Sequence, residues 1–112
     1  DVRVAAAVAA GELHVERALR HVIRMLDETK DPDEAIALVR ALGHLGDPGA
    51  VPSIEKHAVR TLFSKPRTDV RIAAYRALHQ IGTPHARRLL NQAVDDKEPA
   101  VKAAVKEMLG MR

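Results

Sequence analysis

Arg40-Ala41-Leu42-Gly43-His44-Leu45-Gly46-Asp47-Pro48 aligns with Arg76-Ala77-Leu78-His79-Gln80-Ile81-Gly82-Thr83-Pro84, and this alignment decides the fold class. Beyond the prolines the register holds, with Ala50 and Ile54 over Ala86 and Leu90. Each copy ends an apolar stripe with glycine, a polar residue and proline, and each of those residues has a mechanical reason to be there. Gly46 and Gly82 can take the positive φ that closes a helix. Asp47 and Thr83 offer side-chain oxygens to the first free amides of the next helix. Pro48 and Pro84 then occupy the first helical position, where no amide hydrogen bond is lost. Each copy therefore reads as helix, tight turn, helix.

Working outward, Asp69-Val70-Arg71-Ile72-Ala73-Ala74 echoes Asp1-Val2-Arg3-Val4-Ala5-Ala6, and Ala100-Val101-Lys102-Ala103-Ala104 repeats the opening again. The units start at Asp1, Asp33, Asp69 and Ala100, spaced 32, 36 and 31 residues apart, which suits a two-helix solenoid repeat. One domain is expected over 1–112, with units near 1–32, 33–68, 69–99 and 100–112. Val70, Ala73, Ala74, Ala77, Leu78 and Ile81 share one face of a helix, as do Val15, Ala18, Leu19, Val22, Ile23 and Leu26. Val101, Ala104, Val105, Met108 and Leu109 repeat the start of the same pattern. Helices are expected near 2–11, 14–28, 33–45, 49–62, 69–81, 85–95 and 99–109. Polar breaks with a proline separate the units, at Asp31-Pro32-Asp33, at 64–68 and at 95–99. The last helix has an apolar face and no second helix after it, so the stack is expected to continue beyond the chain.

Composition narrows the function classes. Apolar residues make up 46% of the chain but aromatics only 2%, Phe63 and Tyr75, so the core must be aliphatic. The absence of cysteine excludes disulfides, thiolate metal sites and a cysteine nucleophile, and it fits a cytoplasmic location. No stretch approaches the ~18 apolar residues of a membrane span. Charge is uneven: residues 1–56 carry 7 Lys/Arg and 10 Asp/Glu, a net −3, whereas residues 57–112 carry 11 and 5, a net +6. A basic C-terminal half favours an acidic partner or nucleic acid.

Leu42-Gly43-His44-Leu45-Gly46-Asp47-Pro48-Gly49-Ala50-Val51-Pro52 resembles the turn of the HEAT-like repeat named after phycobilisome lyases, and Asp69–Ala74 resembles the opening of that repeat. The resemblance implies an all-α, right-handed α-solenoid of stacked helical hairpins, here about three and a half repeats and seven helices. It also implies that the second helix of each unit lines a concave side. Iron-dependent hydroxylases on this repeat carry a His-Glu pair early in the first helices, where this chain has Val4-Ala5, Ile36-Ala37, Ile72-Ala73 and Ala103-Ala104, so no iron ligands match. No residue set identifies a bilin site. HEAT-like DNA glycosylases hold a base with aromatic residues, which this chain almost lacks. In such stacks the residue at Arg3, Arg71 and Lys102 joins an inter-repeat ladder with the aspartate of a neighbouring turn, for which Asp1, Asp33 and Asp69 are available.

No catalytic constellation emerges, so the chain is expected not to be an enzyme and to need no cofactor. Among His14, His21, His44, His57, His79 and His85 no pair has the i, i+4 spacing of a helical metal site. His44 and His79 fall near helix C-termini, where positive charge is favoured. Asp31, Asp33 and Asp47 read as turn and cap residues. Asp95, Asp96 and Glu98 form an acidic loop without the spaced oxygens of a calcium loop. The candidate partner-binding residues are Arg20, Arg24, Lys56, Arg60 and Arg88. They form a basic column on the second helices, with Arg17 and Arg87 at its edges and Glu16, Asp27, Glu28 and Glu55 as neutralising alternatives. The expected function is protein binding or scaffolding on the concave face, with an acidic or extended partner segment. The alternatives are nucleic-acid phosphate binding through the basic half and a non-catalytic part of a HEAT-repeat lyase or modifying enzyme.

Overall fold

A computed structural model describes residues 2–111; at positions 2 and 4–13 only the backbone is described. All regular secondary structure in the described chain is helical: α1 (Val2–Glu28), α2 (Pro32–Leu45), a 3₁₀ turn (Pro48–Ala50), α3 (Val51–Ala58), α4 (Thr68–Ile81), α5 (Pro84–Ala93) and α6 (Pro99–Met108). Helix α4 is the centre of the arrangement. It packs against α2 on one side and α6 on the other, and also touches α3 and α5. Helix α1 lies against α2 and α3. The result is elongated, with extents of 55 × 30 × 19 Å.

The two aligned turns behave as their residues dictate. Gly46 and Gly82 both have φ of 69°, and their amides donate to the carbonyls of Leu42 and Leu78 at 3.1 and 2.9 Å. Asp47 Oδ1 accepts from the Gly49 amide at 2.7 Å, and Thr83 Oγ1 accepts from the Ala86 amide at 3.1 Å. Pro48 and Pro84 open the segments that follow. Asp31 caps α2 in the same manner, accepting from the Asp33 amide at 3.2 Å.

Two expectations need correction. The described chain has six α-helices, not seven, because the segments expected at 2–11 and 14–28 form the single helix α1. Gly11-Glu12-Leu13-His14 lacks the glycine–cap–proline order of the other turns, and one glycine within an alanine-rich helix costs only about 1 kcal/mol. The helix expected over 49–62 is also shorter. It begins as a 3₁₀ turn and ends at Ala58, where Val59 turns extended with φ −90° and ψ 129°. Past that point the Thr61 hydroxyl accepts from the amides of Phe63 and Ser64 at 3.3 and 3.0 Å, a local pairing that competes with helix.

The core is aliphatic, as composition requires. Leu26, Val39, Leu42, Ile54, Leu78, Leu90, Val101 and Val105 are fully buried. On α1 the stripe works only in part: Leu26 is buried and Leu19, Val22 and Ile23 are half-buried against the core, but Val15 is 59% exposed and Ala18 is exposed. Among the described residues α1 packs on α2 and α3, and the buried part of its apolar face lies toward its C-terminal end. Helices α2 and α4 approach closely at Gly43. A Cβ there would lie 3.0 Å from the Cα of Ala77 and 2.3 Å from Gln80 Oε1.

Candidate interaction surfaces

Among the described residues Arg71 is the largest fully buried side chain, 1% exposed, and it sits in the first turn of α4. Its Nε donates to the Ala58 carbonyl at 2.8 Å, closing the end of α3. Nη1 and Nη2 grip the Asp96 carboxylate at 3.0 and 2.5 Å, and Nη1 also donates to Glu98 at 2.8 Å. Glu98 accepts a further bond from the Thr68 hydroxyl, and Arg60 approaches it at 3.4 Å. A bidentate guanidinium–carboxylate pair is both strong and geometrically selective. Burial opposes the charge on Arg71, yet the bonds from Asp96 and Glu98 more than offset it and raise its pKa. The Arg71 bond holds Asp96 below the ordinary carboxylate range; at Glu98 the Thr68 bond, reinforced by Arg71, does the same.

The inter-repeat ladder therefore exists at Arg71 but with different partners from those expected. Its carboxylates come from the loop before α6, not from Asp33 or Asp69. Asp69 is held by Arg67 at 2.5 Å, and Arg67 also reaches Asp33 at 3.6 Å. Lys102 is exposed, and Asp1 lies outside the described residues. The physical reason is position: the first turn of α4 faces the loop that follows α5, so Arg71 meets Asp96 while Asp69 stays at the surface. The acidic loop at 95–98 thus turns two of its carboxylates, Asp96 and Glu98, inward to Arg71.

The basic column is placed as follows. Arg20 and Arg24 are exposed on α1, and Arg88 is exposed on α5. Among the described residues none of the three has an ion-pair partner. Lys56 on α3 is exposed and lies 3.8 Å from Asp27 of α1. Arg60 is not one turn further along α3, because that helix has already ended; it is drawn toward Glu98. Glu55 and His85 make a second bridge between units, from α3 to α5, at 2.6 Å. The second helices thus carry paired charges between them and unpaired arginines at either end.

Two further surfaces were less evident in the sequence. One is a groove of about 610 Å³ where α2 and α4 run side by side, lined by Ile36, Arg40 and His44 from one helix and by Ile72, Ala73 and Arg76 from the other. The signal was present as matched i, i+4, i+8 stripes, Ile36-Arg40-His44 and Ile72-Arg76-Gln80. The other surface is the loop at 61–64, where Leu62 and Phe63 are 83% and 95% exposed. The chain's one phenylalanine therefore lies outside the core, on a turn closed by the Thr61 amide donating to the Ser64 carbonyl at 2.8 Å.

No helix among the described residues is long and apolar enough to cross a membrane. No curated protein matches the chain. The family model for HEAT repeats matches residues 56–112, from the end of α3 through the Arg71 joint to α6. With half of the sequence matched, and a helix–turn–helix unit recurring as α2–α3 and α4–α5, the chain belongs to the HEAT-repeat family.

Proposed function

We infer that the chain is a non-catalytic protein-binding module. In this reading its hairpins form a right-handed solenoid, with α3, α5 and the C-terminal part of α1 on the concave side. The partner presents an acidic or extended segment. The observation that carries the reading is how charge is used. The carboxylates of Asp96, Glu98, Asp69 and Asp27 pair with the protein's own cations, Glu55 is bonded to His85, and Asp31 and Asp47 serve as caps. Exposed arginines such as Arg20, Arg24, Arg40, Arg76 and Arg88 are left without ion-pair partners among the described residues. Arginine suits such a role because its planar fork grips a carboxylate through two hydrogen bonds and is weakly hydrated. Helical repeats present such residues on a broad, rigid surface.

The test is capture from lysate by the tagged chain, with and without nuclease, compared with a variant carrying Arg24→Glu, Lys56→Glu and Arg88→Glu. A discrete protein set that survives nuclease and is lost with the triple variant supports binding on the concave face. Unchanged capture by that variant removes the concave-face assignment. Capture that disappears with nuclease replaces protein binding by nucleic-acid binding.

A further inference from the structure

The geometry points to a second docking surface on the first-helix side: the α2–α4 groove takes an extended, acidic segment of a partner protein that carries an apolar side chain between its carboxylates. This rests on the reading of the chain as a protein-binding module but uses a different face from the second-helix column.

The groove is built from equivalent positions of two consecutive repeats. Ile36 and Ile72, half-buried, supply an apolar floor together with Ala73 and the buried Ala77. Arg40 and Arg76 stand over that floor, both exposed and both without an ion-pair partner among the described residues. His44 adds a third basic side chain at one end. The one carboxylate in the lining, Asp69, is already held by both ends of the Arg67 guanidinium, at 3.0 and 2.5 Å. The groove is thus positively charged with an apolar base.

Spacing selects the occupant. Arg40 and Arg76 hold the same repeat position on packed helices, whose axes are about 8–10 Å apart. An extended chain advances about 3.3 Å per residue and turns alternate side chains to one face, so carboxylates four residues apart face the same way and span about 13 Å. A segment crossing the two helices can then place one carboxylate on each long arginine side chain, with the apolar side chain midway between them, on the same face, over Ile36 and Ile72. The shallow alanine wall formed by Ala73 and Ala77 leaves room for backbone to approach. A phosphate backbone would meet the arginines but has nothing to offer the floor, and no aromatic side chain lines the groove for base stacking.

The probe is a fluorescently labelled peptide, Asp-Ser-Val-Ser-Asp-Ser-Val-Ser-Asp, whose Asp and Val side chains share one face when extended, read by anisotropy against the whole chain. Two reference peptides replace Asp by Asn or Val by Ser, and a single-stranded oligonucleotide tests phosphate alone. The expected result is binding at least tenfold tighter for the Asp- and Val-bearing peptide than for either reference peptide or the oligonucleotide. That binding falls at least tenfold in Arg40→Glu/Arg76→Glu, falls in the milder Arg40→Gln/Arg76→Gln, and is unchanged in Lys30→Glu/Lys65→Glu, at exposed lysines outside the groove. Thermal melts of each variant check that the fold is retained. Absent binding, equal binding of the Ser-replaced peptide, or tighter binding of the oligonucleotide overturns the groove assignment, as does indifference to the Arg40 and Arg76 variants. Self-association of the chain that is abolished by Arg40→Glu would make a second copy the occupant and overturn it too. Each of these results leaves the capture experiment with the Arg24, Lys56 and Arg88 variant to judge the wider protein-binding reading independently.

Discussion

Two joints between repeats solve one problem in opposite ways. The last carbonyls of a helix have no partner within it, and where the end is buried another group must supply one. At the end of α1, the Leu26 carbonyl accepts from His57 Nε2 of α3 at 3.1 Å. At the end of α3, the Ala58 carbonyl accepts from the Arg71 guanidinium of α4. The repeat position of Arg71 in the preceding unit is held by Ala35, which is 3% exposed and simply packs. One joint is small, apolar and closed by an imidazole. The other brings a full charge inside and needs Asp96 and Glu98 to hold it. A repeat register fixes where a joint falls without fixing its chemistry. A buried cation is tolerated only where the following loop brings carboxylates to it, and the loop at 94–98 does so.

The largest way to break this contrast is to remove the charge from one joint. Arg71→Ala should lower unfolding free energy by about 3 kcal/mol, because it strands two carboxylates and a buried carbonyl together. Urea unfolding with an unchanged m-value measures it. Arg71→Met combined with Asp96→Asn and Glu98→Gln should recover much of the loss, since a neutral, packed joint resembles the one at Ala35. A triple variant as weak as Arg71→Ala would show that the charges are needed for stability and not only for placing the loop.

Acid sharpens the same comparison. Asp96 and Glu98 have folded pKa values below their unfolded ones. Their stabilising contribution is therefore complete above the unfolded-state carboxylate range, about pH 4, and is lost as pH falls through the folded values. The native chain should lose stability more steeply below about pH 4 than Arg71→Met does. Parallel pH profiles for the two proteins would show that this joint does not drive the acid response.

The smallest effect probes the apolar packing of α2 against α4. In Gly43→Ala, Gln80 can swing away from the new methyl group, but the Ala77 backbone at 3.0 Å cannot. Overpacking should outweigh the gain in helix propensity, for a net loss of about 1 kcal/mol. A more stable variant in thermal melts would mean that the two helices separate readily.

Much of the fold was legible in the sequence because local rules set it. The turns at Gly46-Asp47-Pro48 and Gly82-Thr83-Pro84 form as their residues require, and the stripe beginning at Val70 faces the core. The exceptions are informative. The first unit runs as one helix where the turn residues are incomplete, and α3 stops early because Arg71 and Thr61 take over backbone partners beyond helix reach. For the candidate surfaces, sequence position gave exposure but not pairing. Arg24, Lys56 and Arg60 look alike as residues in a basic column, yet Lys56 meets Asp27 and Arg60 meets Glu98.

By itself, then, the sequence determined the all-helical class, the positions of the repeat turns and the aliphatic character of the core, because helix periodicity, positive-φ glycine and capping act within a few residues. Tertiary structure alone decided that Arg71 is buried and paired with residues 25 and 27 positions away, that Phe63 is left in solvent, and that Arg40 and Arg76 flank one groove. Those outcomes depend on which surfaces meet when the repeats stack, and a charge is stabilised by partners in space whatever their distance along the chain.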